Sequence, residues 1–131
     1  MAAGTKDDPW LLTTPPGSAA YEMYVAGDEL VCVVGTTKLR YLARAVDDLA
    51  TWLAEQDDWV ALGAADEQKA APPDSVEAWA RSEANPVGGW YGLRKGYRGR
   101  FGTYLPPLLE ALGRAELTHD ARGNRMRAVR S

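Results

Sequence analysis

The sequence predicts an α+β domain: an N-terminal antiparallel β-meander with a packed helix, then a helical segment ending in a basic β-hairpin of winged-helix-like form. Three observations carry this expectation. Residues 20–42 hold three apolar or alternating runs punctuated by Gly27-Asp28 and Gly35-Thr36-Thr37. Residues 45–56 switch to a helical period. Beyond Pro106-Pro107, a leucine-rich stretch gives way to two short runs flanking a turn with Asp120, Gly123 and Asn124. With 131 residues, 46% of them hydrophobic, the chain can bury one core without metals or disulfides.

Residues 1–19 are polar and proline-bearing, and read as an extended arm pinned by Trp10, Leu11 and Leu12 with a mobile tip. Residues 20–131 read as a single globular domain. Its strands are expected at Tyr21 to Val25, Glu29 to Val34 and Lys38 to Leu42. The middle one is apolar on both faces and so central, while the third alternates Leu39 and Tyr41 with Lys38 and Arg40.

Val46, Leu49, Ala50 and Leu53 recur at i, i+3, i+4 and i+7, which predicts a helix from about Ala45 to Gln56 that can lie across the sheet. Asp47 and Asp48 fall in its first turn, where the helix dipole favours negative charge. A short run, Trp59, Val60 and Leu62, stops at Gly63, and the charged, alanine-rich stretch to Pro72-Pro73 reads as a surface loop. Asp74-Ser75-Val76-Glu77 reads as a capping box for a helix over 75–81, with an alternating strand as the competing reading.

Residues 88–102 admit two readings. Trp90, Leu93, Tyr97 and Phe101 share a helical stripe opposite Gly92, Gly96, Gly99 and Gly102, but each interior glycine costs about 0.8–1 kcal/mol relative to alanine. A glycine-rich loop with aromatic anchors is the alternative. Prolines are tolerated in a helix's first turn, so a new helix of about two turns is expected to start at Pro106-Pro107. Leu105, Leu108, Leu109 and Leu112 would form its stripe and Gly113 its C-terminal cap.

Charge is unevenly spread. Residues 1–90 carry six Lys or Arg against fifteen Asp or Glu, a net of −9, whereas residues 91–131 carry nine against three, a net of +6. Such a reversal points to an anionic partner or to an acidic half facing the basic one. The candidate site is this basic segment: Arg94, Lys95, Arg98 and Arg100 interleave with Trp90, Tyr91, Tyr97 and Phe101, and Arg122, Arg125, Arg127 and Arg130 follow on the hairpin. Arginines bind phosphates bidentately, Trp90 and Tyr97 can stack on unpaired bases, and glycines permit close backbone approach. DNA or RNA is therefore the expected partner. An acidic protein partner or the chain's own acidic half is the alternative, since Trp, Tyr and Arg also dominate protein interfaces.

Enzymatic readings rank third, for want of groups. One histidine, His119, and one cysteine, Cys32, cannot assemble an ordinary zinc site, and no EF-hand or P-loop spacing is present. His119 reads as an exposed turn residue and Cys32 as a buried thiol. No catalytic residue, metal ligand or cofactor is assigned. With no apolar leader and no run near the 18 residues of a membrane span, no membrane partner is expected and the location is cytoplasmic.

Two resemblances add to this. The run Leu108 to Leu117 followed by Asp120 to Arg125 resembles part of a winged-helix module, in which a basic hairpin wing follows the recognition helix. Pro106 and Pro107 shorten that helix, so the resemblance implies shape more than base reading. The whole chain, and above all Asn85 to Gly102 (NPVGGWYGLRKGYRGRFG), resembles a small bacterial family, chiefly actinobacterial, with no established activity. That resemblance implies a bacterial cytoplasmic origin and no cofactor.

Overall fold

The computed structural model describes residues 2–129, and Arg130 of the basic hairpin lies outside them. Four antiparallel strands, β1 (Trp10–Thr13), β2 (Ala20–Ala26), β3 (Glu29–Val34) and β4 (Thr37–Leu42), form a sheet in chain order. Three of them were legible as a meander. The fourth comes from the arm, where Leu12 is buried and pairs with Tyr21, while Leu11 is 76% exposed.

Two-residue turns close β2–β3 and β3–β4, and each begins with a glycine of positive φ, Gly27 at 65° and Gly35 at 59°. Glycine at the first turn position matches the twist of the flanking strands. Register places Met23, Cys32 and Leu39 side by side on the core face, with Tyr21, Leu30 and Tyr41 around them. Val31, fully buried on the opposite face, bears out the apolar character of the middle strand.

Helix α1 (Ala45–Glu55) buries Ala45, Leu49 and Leu53, and packs against the second sheet and against α3. That sheet has the order β5–β7–β6, from β5 (Val60–Ala61), β6 (Ala115–Leu117) and β7 (Arg125–Ala128). Residues 75–81 resolve as helix: α2 (Val76–Ala80) is capped by Ser75, whose Oγ accepts the N–H of Ala78 at 3.1 Å. The capping-box expectation needs correcting at its other end. Ala78, not a glutamate, occupies the position that would reach back, and Glu77 points elsewhere.

The helix expected at Pro106 starts earlier. Helix α3 runs Phe101–Ala111 with both prolines inside it. Interior prolines each delete a backbone donor. Burial offsets the loss, because Phe101, Gly102 and every residue from Tyr104 to Leu109 are buried. The first sheet covers α3 directly: Tyr21 donates its hydroxyl to the Tyr104 carbonyl at 2.8 Å, and the two rings meet edge to face. Residues 88–100 form a loop, settling the second open reading. Among the described residues, no helix is long and apolar enough to cross a membrane.

Candidate functional site

The basic loop is held by carboxylates of the acidic half. Glu67 accepts the N–H of Gly96 at 2.9 Å, and the Nε of Arg98 at 3.0 Å. Burial opposes ionisation of Glu67, but the backbone donors of Gly96 and Arg98 outweigh it and hold the carboxyl below its usual range. Arg100 gives its Nε to Asp66 at 2.5 Å. Of the seven candidate cations among the described residues, Arg98 and Arg100 are thus paired with Glu67 and Asp66 respectively, and Arg127 pairs with Glu116 directly across the hairpin.

Glycines in this loop serve protein packing. A Cβ on Gly92 would collide with Arg98, one on Gly99 with the Glu67 backbone, and one on Gly102 would sit 2.5 Å from the Leu62 carbonyl oxygen. Trp90 is likewise engaged: the guanidinium carbons of Arg81 and Arg98 lie 4.4 and 4.2 Å from its ring centroid. Tyr97 remains 43% exposed, with Arg94 over its ring at 5.1 Å.

Glu77 is the residue the sequence reading missed. Only 1% exposed, its carboxylate accepts N–H groups of Gly102 (2.9 Å), Phe101 (3.3 Å) and Ala65 (3.3 Å), and the Nη2 of Arg81 (2.9 Å). It caps α3 from another helix, supplying the acceptors that helix lacks. The preceding residue, Arg100, adopts a left-handed conformation with φ 61°. A single carboxylate among Val76, Ala78, Trp79 and Ala80 was the available signal.

On the hairpin, buried Asn124 organises the turn. Its Oδ1 accepts Asp120 N–H at 2.6 Å and the Thr118 hydroxyl at 2.9 Å, and its Nδ2 donates to the Asp120 carbonyl at 2.9 Å. Arg122 stands exposed on that turn. His119 is tethered rather than free: Nδ1 lies 2.9 Å from the Pro15 carbonyl and Nε2 2.6 Å from the Glu110 carboxylate. Arg125 and Arg127 lie over Trp59, at 6.0 and 4.4 Å.

Among the described residues, Arg94, Lys95, Arg122 and Arg125 form no ion pair with a carboxylate. A cleft of about 650 Å³ opens between residues 14–19, 61–64, 102–104 and the hairpin turn. Its lining includes Arg100, Arg122 and Arg125 and no Asp or Glu. On the other side of Arg100 and Tyr104 lies a smaller pocket, about 320 Å³, which carries both charge signs through Asp66, Glu67 and Arg100. Burial raises the Cys32 thiol well above its usual range, so it offers no nucleophile. No group of three His, Cys, Asp or Glu positioned for a metal occurs among the described residues.

Fold and surface together define a small α+β domain with a cationic cleft beside its C-terminal hairpin. The chain belongs to a family of unknown function (DUF6855), which matches residues 2–129. No curated protein and no solved structure matches it.

Proposed function

We propose that the domain is a noncatalytic module that binds nucleic acid through its phosphates. The observation that carries this reading is that four of the candidate cations have no carboxylate partner among the described residues: Arg94 and Lys95 on the loop, Arg122 and Arg125 on the hairpin. Arg98 and Arg127 spend their guanidinium groups on the protein's own acids, and in this reading they position the loop and the hairpin. The chain order α1, β5, α2, α3, β6, β7 with strand order β5–β7–β6 supports a winged-helix-like C-terminal half, in which the β6–β7 hairpin is the wing.

Four phosphate contacts release about 0.7–0.9 counterion each, so affinity for an oligonucleotide should fall roughly 50- to 150-fold between 50 and 200 mM salt. Fluorescence anisotropy with a labelled mixed-sequence oligonucleotide measures this. Arg94→Ala and Arg122→Ala should each flatten the salt slope by about one contact. Absence of binding to DNA and RNA at low salt overturns the reading.

A further inference from the structure

We infer that the cleft beside the hairpin is where the phosphates bind, and that it takes a single nucleic-acid strand rather than a duplex. The inference rests on the nucleic-acid reading above and adds the place and the form of the ligand. At about 650 Å³ the cleft falls within the size range of binding sites for small ligands. Three arginines line it from separate elements, Arg100 at the N-terminus of α3, Arg122 on the hairpin turn and Arg125 at the start of β7, with the Arg100 Nε on Asp66 and the Arg125 guanidinium 6.0 Å from the Trp59 ring centroid. No Asp or Glu lines the cleft, and the one carboxylate bound to its arginines is Asp66, on the Nε of Arg100.

Arg100 is suited to the task. Only its Nε is engaged by Asp66, which leaves both terminal nitrogens of a half-exposed guanidinium for a second anion. Its left-handed backbone is a conformation that a non-glycine residue adopts at a cost, and such residues cluster at binding sites. Glu77 holds it there by taking the two N–H groups that follow.

The cleft also offers groups that fit a base. Pro106 and Pro107 carry no N–H, so the carbonyls of Gly102 and Thr103 lack their i+4 helical donors. Both residues line the cleft, as do Pro15, Leu62 and Tyr104. Apolar lining next to arginines suits an unpaired base attached to its phosphate.

Duplex reading asks for the opposite shape. A convex element must enter a groove about 12 Å wide and present polar side chains to base edges. The helix in the position to do so, α3, is buried from Phe101 to Leu109 except for half-buried Thr103, and the first sheet lies against it. Arg100, Arg122 and Arg125 border a hollow instead.

The test uses the full chain in low salt and fluorescence anisotropy. The probes are a labelled single strand of about 12 nucleotides, its duplex and an oligoglutamate peptide, since single-strand sites span about 4–16 nucleotides. The single strand should bind at least about tenfold tighter than the duplex, and the exposed pair Arg122→Ala/Arg125→Ala should weaken it by about tenfold or more. Circular dichroism checks that this variant is folded, and Arg94→Ala/Lys95→Ala should weaken binding less. Duplex binding as tight as single-strand binding, or an undiminished Arg122→Ala/Arg125→Ala variant, overturns the inference and leaves the nucleic-acid reading standing. No nucleic-acid binding at all overturns both, as does oligoglutamate binding as tightly as the single strand.

Discussion

Glu77→Gln is the sharpest test of how the cleft is built. The substitution keeps volume but replaces one carboxylate oxygen by an NH₂ group. In the native arrangement Oε1 faces the N–H groups of Gly102 and Ala65, while Oε2 faces those of Phe101 and Arg81. Whichever way the amide lies, two of these contacts become donor against donor, and the Arg81 guanidinium loses its counter-charge. Arg81 can least spare it, since its side chain is 13% exposed and its Nε already lacks a partner.

Removing one member of a buried charge pair costs about 3–5 kcal/mol, a large share of the roughly 5–15 kcal/mol that holds a domain together. For a chain of this size the loss corresponds to a melting point lower by roughly 10–20 °C. Urea titration followed by circular dichroism measures it, with the midpoint falling and the slope unchanged. A loss under about 1 kcal/mol would refute the claim that Glu77 is the electrostatic cap of α3.

Two further predictions concern the cleft's borders. Both nitrogens of His119 face acceptors, so only the imidazolium satisfies both, and the bond to Glu110, then that to the Pro15 carbonyl, raise its pKa above the ordinary 6.5. A raised folded value means the stabilisation is complete below the ordinary value and fades as pH rises through the folded one. The stability gap between wild type and His119→Gln should therefore be larger near pH 5.5 than near pH 8.5, and an NMR titration of the chain's one histidine should show the upward shift; a pH-independent gap refutes the tether. Gly102→Ala should destabilise by about 1–3 kcal/mol, because its Cβ meets the Leu62 carbonyl, although glycine-to-alanine inside a helix ordinarily gains up to about 1 kcal/mol. Thermal unfolding decides the sign.

The local rules worked where side chains repeat against a single partner surface. The alternation of Leu39 and Tyr41, the turns at Gly27 and Gly35 and the period through Leu49 and Leu53 all have their cause within a few residues, and the fold follows them. They failed at α3, where Pro106 and Pro107 imply a start that tertiary burial overrides, with Glu77 capping the helix from 24 residues away. The candidate site was legible as a charge pattern and not as a surface. Nothing near Arg98 or Arg100 in sequence reveals that Glu67 and Asp66 meet them, although the opposed totals of the two halves hinted that some cations would be claimed internally. Trp90 shows the same limit: two arginines occupy its ring, one of them contributed by the segment after α2.

The cover that β1 and β2 lay over α3 ties the fate of the two halves together. A fragment beginning after β4 would lose the cover over Tyr104 and the contacts of β1 with α3, and it should aggregate rather than persist as a small domain of its own. By the same token, a chain nicked between β4 and α1 should stay associated and sediment as one particle.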